Sequence, residues 1–148
     1  DILSEAGMPA YEVSNHAGEG AESRHNLIYW RYGDYAGIGP GAHGRLTLDG
    51  QRWATDTPKT PAAWLSQVET AGHGERPREG LSAGDQAAEY LLMALRLSEG
   101  LDMDRLARLA GTPLRPATVE RLQDLGMLRC DGVSGRALLN AVIRELMP

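Results

Sequence analysis

A chain of 148 residues with 42% apolar side chains can bury a core, as one domain or two small ones, and its single cysteine, Cys130, excludes an internal disulfide. The net charge is −5, and residues 86–148 carry none of it, so neither half offers the basic face that nucleic acid requires. No leader-like segment or apolar run of about 18 residues occurs, which leads us to expect a soluble, cytoplasmic protein, and a start at Asp1 reads as a piece of a longer polypeptide.

Ile2–Ala6 reads as the last turn of a helix closed by Gly7, and Pro9 opens an extended run through Tyr11, Val13 and Asn15. Gly18–Ser23 is small and acidic, a loop. The stretch Arg24–Gly44 is the most distinctive. Aromatic residues make up only 5% of the chain, yet Tyr29, Trp30, Tyr32 and Tyr35 fall within seven positions, interleaved with Asn26, Arg31 and Asp34. Such a segment suits a flat ligand or a close backbone approach. Asn26–Tyr32 reads as about one helical turn, and Tyr35–Ile38 as a buried strand. Gly39, Gly41 and Gly44 have the spacing of a dinucleotide-binding turn, but that turn must open a helix. Here Arg45–Thr55 alternates around Asp49-Gly50 as a hairpin instead, with Trp53 as packing. The glycines then either bring backbone N–H groups up to a ligand or serve only as turn residues.

Asp56–Pro61 is a linker that ends in a helix start, with Thr60 as N-cap and Pro61 at the first position. The helix Ala62–Ala71 places Trp64, Leu65 and Val68 on one face. Gly72–Gly84, rich in glycine and charge, reads as the boundary between two parts. Asp85–Leu97 is amphipathic, with Ala88, Leu91, Leu92 and Leu95 at helical spacing, and Asp102 caps a helix over Met103–Ala110. A third helix is expected over Pro116–Leu125, stopped by Gly126. A short strand over Met127–Cys130, a turn at Asp131-Gly132 and a last helix over Arg136–Met147 follow. The order helix, helix, helix, strand, turn resembles a winged-helix domain, although the turn is too short for a full two-stranded wing.

Three groups of residues together carry a family resemblance: Tyr11-Glu12-Val13-Ser14-Asn15; His25-Asn26-x-x-Tyr29-Trp30; and Asp34-Tyr35-x-Gly37-Ile38-Gly39-x-Gly41-Ala42-His43. They resemble the radical S-adenosylmethionine (SAM) proteins related to oxygen-independent coproporphyrinogen III oxidase, and in particular their haem-chaperone branch. Glu89–Leu97 and Gly135–Asn140 are similar to that family's C-terminal domain. The resemblance implies an α/β plus α fold, in which the terminal strands of a partial TIM-like barrel are followed by a helical, winged-helix-like domain. Residues 1–56 would be the end of the barrel with the haem segment and hairpin, 57–84 a helix and linker, and 85–148 the helical domain.

It also implies haem binding at His25, Asn26, Tyr29 and Trp30. His25 would be the ligand to haem iron, with the aromatic rings of Tyr29 and Trp30 against the macrocycle. Read from the residues alone, a structural histidine bonded to backbone in a buried turn is the stronger reading of His25, and the resemblance brings the two readings level. Gly39, Gly41, Ala42 and His43 would lie near SAM. The intact protein would hold a [4Fe–4S] cluster, whose Cys-x-x-x-Cys-x-x-Cys loop this chain lacks, so the chain alone should be inactive. The implied partners are haem or another porphyrin and apo-haemoprotein clients. Nucleic acid is not among them, no integral membrane segment is expected, and dimerisation is left open. Coproporphyrinogen III oxidation is the rival activity, and a winged-helix nucleic-acid module the rival binding role. His16, His25, His43 and His73 lack the close pairing of a zinc clip, Glu99, Asp102 and Asp104 suit a helix start, and Cys130 suits a buried apolar position.

Overall fold

A computed structural model describes residues 2–112 together with Ala117, Glu120 and Asp124. Its elements in chain order are α1 (Ile2–Glu5), α2 (Arg24–Trp30), β1 (His43–Leu48), β2 (Gln51–Asp56), α3 (Pro61–Ala71), β3 (Glu79–Gly80), α4 (Ala83–Ala94) and α5 (Met103–Ala110). They fall into two compact units. One is made of residues up to Tyr32 together with those from Ala83 onward, and the other is Gly33–Ser82.

The Gly33–Ser82 unit is built on the hairpin. Asp49 and Gly50 take φ values of 50° and 79°, the left-handed pair that a two-residue turn needs to match the twist of its strands. Register runs from Leu48↔Gln51 to His43↔Asp56, and β3 adds to β2 through Trp53↔Gly80, for a strand order β1-β2-β3. Asp34 ties the hairpin to the preceding chain. Its carboxylate accepts from the Thr47 backbone N–H (2.7 Å) and hydroxyl (2.9 Å) and from Arg52 Nη1 (2.7 Å), while Arg52 Nη2 reaches Gly33 O (3.0 Å). The α3 helix starts as its sequence dictates. The Thr60 side chain accepts from Ala63 N, proline occupies the first turn, and Gly72 closes the helix at φ 77°.

The other unit packs α2 and α5 against α4. Its buried core comprises Tyr32, Ala87, Tyr90, Leu91, Ala94, Leu95, Leu101 and Leu106. Arg105 joins the elements chemically: its Nη1 and Nη2 donate to Arg31 O (2.8 Å) and Tyr32 O (3.2 Å), where α2 has run out of partners. Its guanidinium also lies 4.7 Å from the centre of the Tyr90 ring. Tyr32 holds a left-handed φ of 54°, unusual for a side chain of this size. Its ring is buried 6.0 Å from that of Tyr90, and its hydroxyl donates to Glu89 (3.0 Å). These contacts over-determine the strained residue.

Several expectations change. Tyr11–Asn15 is not a regular strand; it makes isolated bridges, Ala10↔His16 and Glu12↔Leu97. The Glu12 side chain captures Ser14 and Asn15, and Tyr11 N donates to Asn15 O, so the run closes on itself. Tyr35–Ile38 is likewise reduced to the bridge Tyr35↔Arg45, and Ile38 is 90% exposed. The α2 helix begins at Arg24, because Ser23 caps it by accepting from Asn26 N. On α4 the buried stripe is Ala87, Tyr90, Leu91 and Ala94, whereas Leu92 is 45% exposed. Trp64 and Val68 are half-buried and Leu65 is half-exposed. The segment after Gly72 contributes β3. The helices expected over 116–125 and 136–147, the strand over 127–130 and Cys130 lie outside the described residues.

Candidate functional site

Helix α2 carries all four residues of the aromatic signature, and helical geometry sorts them. At about 100° per residue, His25 and Tyr29 share one side of the helix, Asn26 and Trp30 share another, and His25 and Trp30 stand about 140° apart. On the first side the exposed imidazole of His25 meets the half-buried ring of Tyr29 edge-on, with centroids 4.8 Å apart and planes at 73°. Tyr29 Oη and His25 Nε2 share a hydrogen bond of 3.2 Å, whose direction follows the imidazole tautomer. An exposed, pre-oriented imidazole of this kind can ligate a metal centre presented from solvent.

The second side faces inward. Asn26 Nδ2 donates to the Tyr11 hydroxyl (3.4 Å), and the Arg96 guanidinium sits 4.4 Å from the centre of the Trp30 ring. Arg96 in turn reaches Glu12 Oε2 (3.4 Å). The Glu12 side chain is fully buried. Its other oxygen accepts from the Ser14 backbone and hydroxyl and from Asn15 (2.7, 3.0 and 2.6 Å). Burial pushes the Glu12 pKa up, but the bonds from Ser14 and Asn15 and the Arg96 charge outweigh burial and hold it below the usual carboxylate value. A chain of contacts, Glu12–Arg96–Trp30, thus supports the helix from behind. Trp30 Nε1 is buried with no acceptor among the described residues. Beside Trp30 a cavity of about 360 Å³ opens between α2, α4 and α5.

Gly39, Gly41, Ala42 and His43 belong to the Gly33–Ser82 unit, and there the glycines have local duties. Gly39 and Gly41 take φ values of 94° and 71°. The N–H groups of Gly41 and Ala42 donate to Pro58 O (2.8 Å) and Thr57 Oγ1 (2.9 Å), and the Thr57 hydroxyl donates to Gly39 O (2.7 Å). Gly37 and Gly44 mark a close crossing: a Cβ at Gly37 would lie 2.4 Å from His43 O, and one at Gly44 2.4 Å from Thr55 Oγ1. His43 opens β1 and is exposed. Among the described residues no group of three or more His, Cys, Asp or Glu side chains could hold a metal ion, and no helix is long and apolar enough to cross a membrane.

Glu12, Arg31, Tyr90, Arg96, Glu99 and Arg105 surround the signature in space, and although several lie in stretches that stand out in the sequence, no local pattern pairs them. Arg31 and Glu99, joined by bonds of 2.8 and 2.7 Å, are 68 positions apart.

Comparison with known proteins gives likenesses of sequence and of fold. Residues 81–137 match the family model described as the HemN C-terminal domain. Over those residues the chain is similar to that domain, and over more of its length to proteins named heme chaperone HemW. It is 37% identical over 98% of its length to a heme chaperone HemW of Mycobacterium tuberculosis, covering 36% of that protein. It is 44% identical over 68% of its length to the Bos taurus protein named radical S-adenosyl methionine domain-containing protein 1, mitochondrial, covering 24% of it. The solved structure titled coproporphyrinogen III oxidase (HemN) from Escherichia coli, a radical SAM enzyme, matches 99% of the chain and 38% of that protein. The TM-score is 0.66 at 15% identity, a likeness of fold. The chain therefore spans about a quarter to somewhat over a third of the length of these relatives.

Proposed function

We propose that this chain is the haem-binding, C-terminal portion of a cytoplasmic haem chaperone of the HemW type. In this reading it supplies the end of a partial TIM-like barrel (1–56), a helix and linker (57–84) and a winged-helix-like domain (85–148). The observation that supports it best is the His25–Tyr29 pair, an exposed imidazole fixed by a capped helix in a chain whose relatives are named haem chaperones. His25 binds the iron of the haem cargo, and Tyr29, already bonded to Nε2, orients the ring and yields that nitrogen to the metal. Asn26 and Trp30 serve haem binding from behind, by fixing the helix. Exposure suits delivery, since an apo-haemoprotein client can approach His25 and replace it with its own ligand.

The Bos taurus relative's name carries S-adenosyl methionine, and with the family resemblance this assigns SAM and a [4Fe–4S] cluster to the intact protein, where they would supply radical chemistry. Gly39, Gly41, Ala42 and His43 are then assigned to the neighbourhood of SAM. The cluster does not fit this stretch, because one cysteine cannot supply the thiolates it needs. Coproporphyrinogen III oxidation is the second reading; the His25-Asn26-x-x-Tyr29-Trp30 segment favours the chaperone.

The test is haem titration of the full-length protein followed by absorbance. We expect His25→Ala to change the Soret band and weaken binding about tenfold or more. Trp30→Ala should weaken binding while keeping the ligation spectrum, and His43→Ala should resemble wild type. A His25→Ala protein that matches wild type in both spectrum and affinity would overturn the assignment.

A further inference from the structure

The cavity beside Trp30 combines two surfaces that rarely meet without a ligand to bind. Trp30, Tyr90, Ala94, Leu97 and Leu101 supply flat and apolar walls, and Arg31, Glu99, Asp102 and Arg105 supply charge at its edge, Asp102 being engaged as the cap of α5 through Arg105 N (2.8 Å). At about 360 Å³ it is at the small end of ligand cavities, which run from about 300 to 1,000 Å³, and so takes part of a large ligand or all of a small one. The Trp30 indole N–H, buried and without an acceptor among the described residues, is the kind of orphan donor that proteins rarely leave. Arg105 spends two N–H groups on backbone carbonyls, and no carboxylate is paired with its charge among the described residues.

The fork of Arg31 is filled by Glu99, in the two-bond geometry that suits any carboxylate. Both side chains are about half exposed, at 54% and 48%. A salt bridge so open to water has a small net strength, so an incoming carboxylate can replace Glu99 without a large penalty.

We infer that this cavity is a subsite for a carboxylate carried on a flat apolar ring, with Glu99 occupying the Arg31 fork until such a ligand displaces it. The ring edge packs on Trp30 and Tyr90, and its carboxylate takes the Arg31 fork. The choice of a porphyrin as probe rests on the haem reading above, but the subsite lies on the Trp30 side of α2, away from His25, and requires neither iron nor His25.

The probes that separate the two are metal-free protoporphyrin IX, which has two carboxylates, and its dimethyl ester, titrated into the full-length protein with Trp fluorescence as the readout. Wild type should prefer the acid to the ester. Glu99→Gln should bind the acid about three- to tenfold more tightly, because the internal competitor is gone, and leave the ester unchanged. Arg31→Gln should remove the preference for the acid, and His25→Ala should keep it. Equal binding of acid and ester by wild type would overturn the subsite, as would Glu99→Gln and Arg31→Gln proteins that keep the wild-type preference and affinity. If haem ligation at His25 fails while the acid–ester preference and its Glu99 and Arg31 dependence persist, the subsite stands and the chaperone reading falls.

Discussion

Glu12 is a carboxylate that folding has taken out of water and paid back with four contacts. Its pKa is held below the value it has in the unfolded chain, so the sign of its linkage is fixed. The stabilisation is complete above the unfolded carboxylate value of about 4.3 and is lost as pH falls through the lower folded value. Glu12→Gln should cost about 1–3 kcal/mol at neutral pH, because it leaves Arg96 without its carboxylate beside Trp30. The measurement is denaturant unfolding of wild type and variant at pH 7 and at pH 3. The gap between them should narrow in acid, and a gap that ignores pH would refute the account.

Among the elements, the glycine-rich stretch gives the sharpest contrast. Gly39 has open space around a notional Cβ but a φ of 94°, whereas the Cβ of a residue at Gly37 would meet the His43 backbone at 2.4 Å. Gly39→Ala should therefore cost about 1–2 kcal/mol through strain alone. Gly37→Ala should cost more, since backbone cannot step aside as a flexible side chain can. Thermal unfolding of the two variants ranks them; a smaller loss for Gly37→Ala would contradict the crossing. The elements also show what could be read in advance. The turn at Asp49-Gly50 and the caps Thr60 and Asp102 were legible because each is set by chemistry within a few residues. Of the expected apolar stripe, Leu91 and Leu95 are buried and Leu92 is not, because Leu91-Leu92 follows Ala87-Ala88, so adjacent faces look equally apolar, and only the burial of Tyr90 decides between them. For the candidate site, His25 and Tyr29 stood out by residue type. Their separation from Trp30 required knowing that α2 is a continuous helix. The Glu12–Arg96 and Arg31–Glu99 pairs, 84 and 68 positions apart, leave no trace in any local pattern.

For the whole molecule, the cysteine count gives a prediction independent of any fold. Residues 1–148 produced alone should not retain a [4Fe–4S] cluster, because only Cys130 is available as a thiolate. Anaerobic reconstitution followed by iron and sulfide analysis checks this, and stoichiometric cluster on the purified monomer would disprove it. The charge distribution gives a second. With no net charge over residues 86–148, that stretch should not confer binding of random duplex DNA at micromolar protein in low salt. A measurable affinity with a steep salt dependence would revive the nucleic-acid reading.

One compact unit is discontinuous in the chain, and protein synthesis makes that a matter of time. As the polypeptide leaves the ribosome, Glu12 and Trp30 emerge before Arg96, which follows Glu12 by 84 residues. At about 5–20 residues per second the delay is several seconds to over ten. Within it Gly33–Ser82 emerges, and its sheet and helix, which draw on partners close in sequence, have what they need to fold before Arg96 appears. The His25 helix must wait for α4 and Arg96 before its inward side is supported. Nascent chains stalled before Arg96 should therefore show protease-resistant hairpin alongside an unprotected signature helix.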